Sequence, residues 1–176
     1  NTALTNLYCG ANSLTSLDVS QNTALTFLDC ASNNITSLDV SYNINLTRLY
    51  CNDNQLTSLD VSNNTSLIYF YCNDNQLTSL DLRNGNNMNM PTLTFGTNPN
   101  LSNNPQLYCI DVDDASFSTI QWTVSNGNID SWANFSANCA TAFGCTDPAY
   151  AEYNSFATID DGSCLTLLAT VTFNVN

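Results

Sequence analysis

The side chains able to do chemistry in this chain are carboxylates, thiols and phenols. Fifteen acidic residues stand against two arginines, Arg48 and Arg83, with no lysine and no histidine, for a net charge of −13 over 176 residues. General acid–base work would fall on carboxylates alone, and no Ser or Cys has a base beside it in sequence to activate it as a nucleophile. Glycoside hydrolysis needs two carboxylates facing each other across a cleft; the periodic pattern described below builds a surface instead, so catalysis is not expected. Nucleic acid and anionic membrane surfaces are not expected partners, because both are held by Lys and Arg, which the chain lacks. No apolar run approaches the roughly 18 residues of a membrane span, so no membrane insertion is expected. The acidity favours cations and basic or neutral partners.

Eight cysteines divide into two groups. Cys9, Cys30, Cys51 and Cys72 fall 21 residues apart, while Cys109, Cys139, Cys145 and Cys164 follow no period. So many cysteines in a chain of this size point to an oxidising compartment. The second group allows three connectivities, of which Cys109 with Cys139 and Cys145 with Cys164 is the pairing adopted. The first group is expected to stay as free thiols, buried as small hydrophobes and poorly angled for disulfides between adjacent rungs.

The elements that position these groups repeat with the same 21-residue period. Leu4, Leu25, Leu46 and Leu67 form one column, Leu7, Leu28, Leu49 and Phe70 the next, then the four cysteines, then Asn12, Asn33, Asn54 and Asn75, then Leu14, Ile35, Leu56 and Leu77. Apolar residues at alternate positions point inward from short strands, and successive turns pair as parallel strands about 4.8 Å apart. A second half-turn, as in Leu38-Asp39-Val40-Ser41, nearly repeats the first, so each turn has two extended edges and two tight corners. The Asn column stands where the chain leaves the strand, where an amide can satisfy backbone groups of its own and the next turn. Each repeat buries its apolar face only against its neighbours, which makes the array a solenoid.

The pattern L-x-x-L-x-C-x-x-N-x-L over residues 1–84 resembles the leucine-rich repeat, of the kind found in bacterial secreted proteins. The fold expected is therefore a β-rich leucine-rich repeat solenoid with parallel strands and 21-residue turns, closed by an irregular disulfide-bonded C-terminal cap. Residues 85–139 resemble such a cap: a last strand at Leu107–Val112, an Asp113-Asp114 turn, and Trp122, Trp132 and Phe135 to cover the open end. The chain opens inside a repeat, so further repeats or a cap are expected ahead of Asn1 in a longer parent protein.

Residues 140–164 hold a stretch from Gly144 to Cys164 that resembles a short bacterial extracellular module, G-C-x-D-P-x-A-x-N-Y-N-x-x-A-x-x-D-D-G-S-C, departing from it at Glu152. The resemblance implies a disulfide between Cys145 and Cys164 and a calcium site at Asp147, Asn154, Asp160 and Asp161. Such oxygens suit calcium; the plainer reading is that they cap turns. Residues 165–176 alternate like a strand that has no partner left in the chain, either opening a following domain or packing back on the cap.

Function is expected on the outward positions of the first strand, which vary among otherwise identical turns. Tyr8, Phe27, Arg48, Tyr50, Asp53, Tyr69, Tyr71 and Asp74 form an aromatic patch with acidic edges there, a composition typical of binding hot spots. A second column, Asp18, Asp39, Asp60 and Asp81, would repel itself unless Ser or Thr hydroxyls or backbone N–H groups at the corner stabilise it. The resulting expectation is a non-catalytic module, secreted or on a bacterial cell surface, that recognises an extracellular protein or serves adhesion through its aromatic strand face. A carbohydrate-binding module of a surface adhesin and a rigid calcium-stabilised spacer are the alternatives.

Overall fold

A computed structural model describes residues 1–90, 98–152, 157 and 159–167, and the chain divides into two compact units, Asn1–Ala137 and Asn138–Asn176. The first unit is a parallel-strand solenoid of leucine-rich-repeat type, with 21-residue turns through its repeating part. Strands β1 (Asn6–Tyr8), β2 (Phe27–Asp29), β3 (Arg48–Tyr50) and β5 (Tyr69–Tyr71) make one sheet in the order β1-β2-β3-β5. Strands β4 (Ser58–Asp60), β6 (Ser79–Asp81), β7 (Cys109–Asp111) and β8 (Asn134–Ser136) make the other, in the order β4-β6-β7-β8.

Each strand is only three residues long because the chain must turn after its central inward residue to complete a rung. Between the sheets the columns stack as sequence periodicity requires: Leu25, Leu46 and Leu67; Leu28, Leu49 and Phe70; Cys30, Cys51 and Cys72; Val19, Val40, Val61 and Leu82. All of these are buried.

Two asparagine columns tie the rungs together. Asn54 Nδ2 donates to the carbonyls of Cys30 (3.0 Å), Cys51 (3.2 Å) and Asn52 (3.2 Å), and its Oδ1 accepts from Ile35 N (3.0 Å). Asn33 and Asn75 repeat the arrangement. The second column, at the opposite corner, was not singled out by the sequence reading. Asn43 Nδ2 donates to Val19 O (3.1 Å) and Asn22 O (2.9 Å), and Asn64 Nδ2 to Val40 O and Asn43 O (both 3.0 Å).

At the corner after each ladder cysteine one residue takes a left-handed backbone: Ala11, Ser32, Asp53 and Asp74 have φ of 53–55°, and Asn103, two residues after Leu101, has φ 56°. No glycine occupies these positions, so each rung carries some local strain, which a β-branched side chain would raise. Ser32→Val is expected to lower unfolding free energy by about 1–3 kcal/mol in urea denaturation, while Ser32→Gly is tolerated. Equal stability of the Val variant would refute the conformational assignment.

The repeat register breaks at Asn84 in the sequence but resumes in space at Asn98. Asn100 bridges Tyr71 in parallel, Leu101 takes the place of Cys72, and Asn104 takes that of Asn75, donating to Cys72 O (3.2 Å) and accepting from Leu77 N (3.1 Å). At the end of the solenoid, helix α1 (Ala115–Gln121) starts at Asp114, whose carboxylate accepts from Ser116 N (2.9 Å) and Phe117 N (3.0 Å). Trp122 is fully buried, edge-on to Phe117 (6.4 Å) and Phe135 (5.7 Å). Trp132, expected among the covering aromatics, is instead 43% exposed, and Phe117 packs against the core.

The second unit contains helix α2 (Cys139–Ala142) and a parallel pair, β9 (Phe143–Gly144) with β10 (Ile159–Asp160). Cys145 and Cys164 form a disulfide with Cα atoms 4.8 Å apart, while Cys9, Cys30, Cys51 and Cys72 of the first unit are free thiols. The strand expected beyond Cys164 finds a partner inside this unit: Leu167 bridges Tyr150 antiparallel, and Ala151 N donates to Thr166 O (2.8 Å). Residues 168–176 of that strand lie outside the described residues. Glu152, the departure from the module pattern, accepts from Leu165 N (3.3 Å) and Thr166 N (3.0 Å).

Candidate functional site

The outward face of β1, β2, β3 and β5 gathers most of the residues singled out in the sequence. In-register pairing places Asn6, Phe27, Arg48 and Tyr69 in one column and Tyr8, Asp29, Tyr50 and Tyr71 in the next. The rings interlock diagonally as well as along columns. Tyr8 lies 4.8 Å from Phe27 at 57°, Phe27 lies 5.2 Å from Tyr50 at 86°, and Tyr50 lies 5.0 Å from Tyr71 at 88°. Arg48 Cζ sits 5.2 Å from the Tyr69 ring centre, within cation–π range.

One residue of the expected patch is not available to a ligand. Phe27 is only 9% exposed, covered by the rings of Tyr8 and Tyr50, so it supports the patch from beneath. Tyr50, Tyr69 and Tyr71 are half-buried, and Tyr8 is open. Burial, with Tyr50 and then Tyr69 beside it, pushes the Tyr71 phenol up, so it stays neutral over the physiological range. Asp53 and Asp74 stand at the left-handed corners, where Asn52 Nδ2 donates to Asp53 (2.6 Å) and Asn73 Nδ2 to Asp74 (2.5 Å). Asn103 Nδ2 also donates to Asp74 (3.0 Å). These two carboxylates therefore border the aromatic stack as orientated acceptors.

Where the later rungs carry Asn52-Asp53 and Asn73-Asp74, the first two carry Gly10-Ala11 and Ala31-Ser32. The difference opens a notch of about 330 Å³ lined by Tyr8, Gly10, Ala11, Asp29, Ala31 and Ser32. Of these residues only Tyr8 stood out in the sequence, where a run of small residues carries no sign of a cavity.

The second aspartate column, which enters the other sheet only at Asp60 in β4 and Asp81 in β6, is stabilised by backbone N–H groups. Asp18, Asp39 and Asp60 accept from the N–H two residues on at 2.8–2.9 Å. Hydrogen bonds from Ser20 hold Asp18 below its ordinary range, and those from Ser41 do the same for Asp39. Asp81 is lowered chiefly by the Arg83 side chain, which also pairs with Asp111 (3.6 Å).

The residues implied as calcium ligands also close turns. Asp147 accepts from Ala149 N (2.9 Å), Asp160 from Gly162 N (3.0 Å) and Asp161 from Ser163 N (2.9 Å). Asn154 lies outside the described residues. Among the described residues no group of three or more His, Cys, Asp or Glu side chains is gathered to hold a metal. No helix among the described residues is long and apolar enough to cross a membrane.

No family model matches the chain, and no curated protein matches it. Among solved structures it is similar to the functional domain of InlJ from Listeria monocytogenes, which includes a cysteine ladder. Identity is 32%, the match covers 64% of this chain and 27% of that one, and the TM-score is 0.49. The chain thus spans about a quarter of the length of the protein it matches.

Proposed function

We propose that this chain is a non-catalytic extracellular recognition module that binds a protein through the aromatic outer face of the β1-β2-β3-β5 sheet. The interlocked ring stack carries the reading. Sugar stacking requires an open, flat ring face, yet Phe27, Tyr50 and Tyr71 turn edge to face at 86° and 88°, so neighbours cover those faces. Ring edges, hydroxyls and the Arg48 guanidinium remain to meet a partner. A rigid Tyr/Arg surface with few rotamers to freeze suits protein hot spots. The Cys145–Cys164 disulfide supports a place outside the reducing cytosol, in keeping with a secreted or bacterial cell-surface protein serving adhesion. Calcium is not required by this reading, because the described carboxylates of the second unit close turns through backbone N–H groups.

An array of extracellular proteins and glycans, probed with the intact chain and with the Tyr50→Ala/Tyr71→Ala double variant, tests it. The expected result is a protein ligand whose affinity falls about 100-fold in the variant, close to 2.7 kcal/mol, with the circular dichroism unchanged. A hit confined to glycans would transfer the site to the carbohydrate reading. A protein hit indifferent to both tyrosines would remove this face from the function.

A further inference from the structure

We infer that the notch between the first two rungs is a receptor for one basic side chain, lysine or arginine, of a bound protein. The inference rests on the protein-recognition reading and specifies part of the chemistry of its partner. Tyr8 forms one wall and is 70% exposed, with its ring packed on Phe27 at 4.8 Å. Asp29 supplies the charge, and Ala31 N donates to its Oδ1 at 3.1 Å, which fixes the carboxylate's orientation.

The small residues are what create the space. A Cβ added to Gly10 would lie 2.9 Å from Asp29 Oδ1 and 3.2 Å from Ala31 O, so even alanine there must displace the carboxylate. Gly10 does not have a left-handed backbone in this structure; space, not conformation, requires glycine at this position. The floor and rim from Ala11, Ala31 and Ser32 hold no bulky group.

An aromatic wall and a carboxylate on one cavity match a long aliphatic stem ending in a cation, through cation–π attraction and a charge-assisted hydrogen bond. Neither arginine of the chain lines the notch: Arg83 pairs with Asp81 and Asp111, and Arg48 lies over the Tyr69 ring. A chain of net charge −13 also draws basic partners toward it. One carboxylate is too few for calcium, which takes six to eight oxygens, so the occupant is an organic cation.

The test is an NMR titration of the intact ¹⁵N-labelled chain with three end-blocked pentapeptides, Gly-Ser-X-Ser-Gly, where X is lysine, arginine or norleucine. Saturable shifts at the Gly10, Ala11 and Ala31 amides are expected with the lysine or arginine peptide, and none with norleucine. Tyr8→Ala and Asp29→Asn should each weaken binding at least about 10-fold, the loss of one hot-spot contact. Gly10→Ala should weaken it as well, by displacing Asp29. Asp18→Asn removes the same charge in the separate aspartate column and should change affinity less than twofold. If Tyr8→Ala loosens the first rung, seen as a lower melting temperature, Asp29→Asn alone decides. Equal binding of norleucine, or an equal effect of Asp18→Asn and Asp29→Asn, would overturn the inference. The peptide titration reads the notch without any macromolecular partner. A failed array with an intact titration therefore sinks the broader reading, and the reverse outcome sinks the notch.

Discussion

Asn54→Ala is expected to lower the unfolding free energy by about 3–5 kcal/mol, a large share of the roughly 5–15 kcal/mol that holds a domain of this size together. Ile35 N–H is buried and given to Asn54 Oδ1, so alanine leaves a donor without an acceptor, at about 1–3 kcal/mol. The carbonyls of Cys30 and Cys51 each lose one of two amide donors, keeping only Asn33 and Asn75 respectively. The remainder is the cavity left in a closely packed rung. Asn54 stands in a central rung, so its loss cannot be absorbed by fraying of an end. Asn12→Ala provides the contrast: its amide is exposed and donates only to Cys9 O and Gly10 O, and the expected cost is below about 1 kcal/mol. Asn54→Asp separates the two halves of the amide's work, since it keeps the acceptor for Ile35 but replaces the donors with charge pointed at carbonyls. It should be at least as damaging as alanine at neutral pH. Urea unfolding followed by Trp122 fluorescence and circular dichroism measures all three. A difference of less than about 1 kcal/mol between Asn54→Ala and the intact chain would mean that the ladder does not hold the rungs.

The columns that build the solenoid were legible because each rung repeats the one before it, and a 21-residue spacing in sequence becomes a single rung in space. Leu28, Leu49 and Phe70 had to stack once Leu25, Leu46 and Leu67 did. Asn43 and Asn64 share that spacing, yet an Asn after Val-Ser reads as an ordinary turn residue; only its burial at the corner reveals a second ladder. The rung from Asn98 to Asn104 was hidden for a different reason. Leu101 follows Cys72 by 29 residues, not 21, and it sits in the turn-like run Asn98-Pro-Asn-Leu-Ser-Asn-Asn-Pro105. Hydrogen bonds between rungs, not sequence interval, fix register, so a longer connection erases the period without erasing the turn. Ring orientation is also beyond reach of a one-dimensional pattern. Phe27 and Tyr50 both read as outward aromatics, and the diagonal packing that buries one beneath the other depends on side-chain torsions. Trp132, expected to cover the open end, is left exposed, while Phe117, for which the sequence carried no expectation, packs against the core from helix α1, whose first turn is capped by Asp114.

Of the four ladder thiols, only Cys9 is expected to react with a disulfide reagent in the folded chain at pH 8. Cys30, Cys51 and Cys72 should stay protected by a factor of at least about 1,000. The reason is electrostatic before it is steric. Burial, with smaller contributions from Cys9 and Asp29, pushes Cys30 up from its ordinary value near 9 to about 12. The attacking thiolate at pH 8 then falls from about a tenth of the population to about one part in ten thousand. Burial raises Cys51 and Cys72 as well, and Cys51 Sγ donates to Tyr71 O at 3.4 Å. Cys9, half-buried in the first rung, is raised less completely, by burial and then by Asp29. The same shifts set an alkaline limit on the fold. A group whose pKa is raised by folding contributes its stability fully below the unfolded value near 9, and loses it as pH climbs toward the folded value near 12. Alkaline unfolding is therefore expected within that window, and Cys51→Ala, which removes one such group for a small cavity, should move its midpoint upward. Thiol counting with and without urea settles the first point: one equivalent in the native chain and four after unfolding. Rapid native reaction of two or more would show that the interior of the ladder is open to solvent.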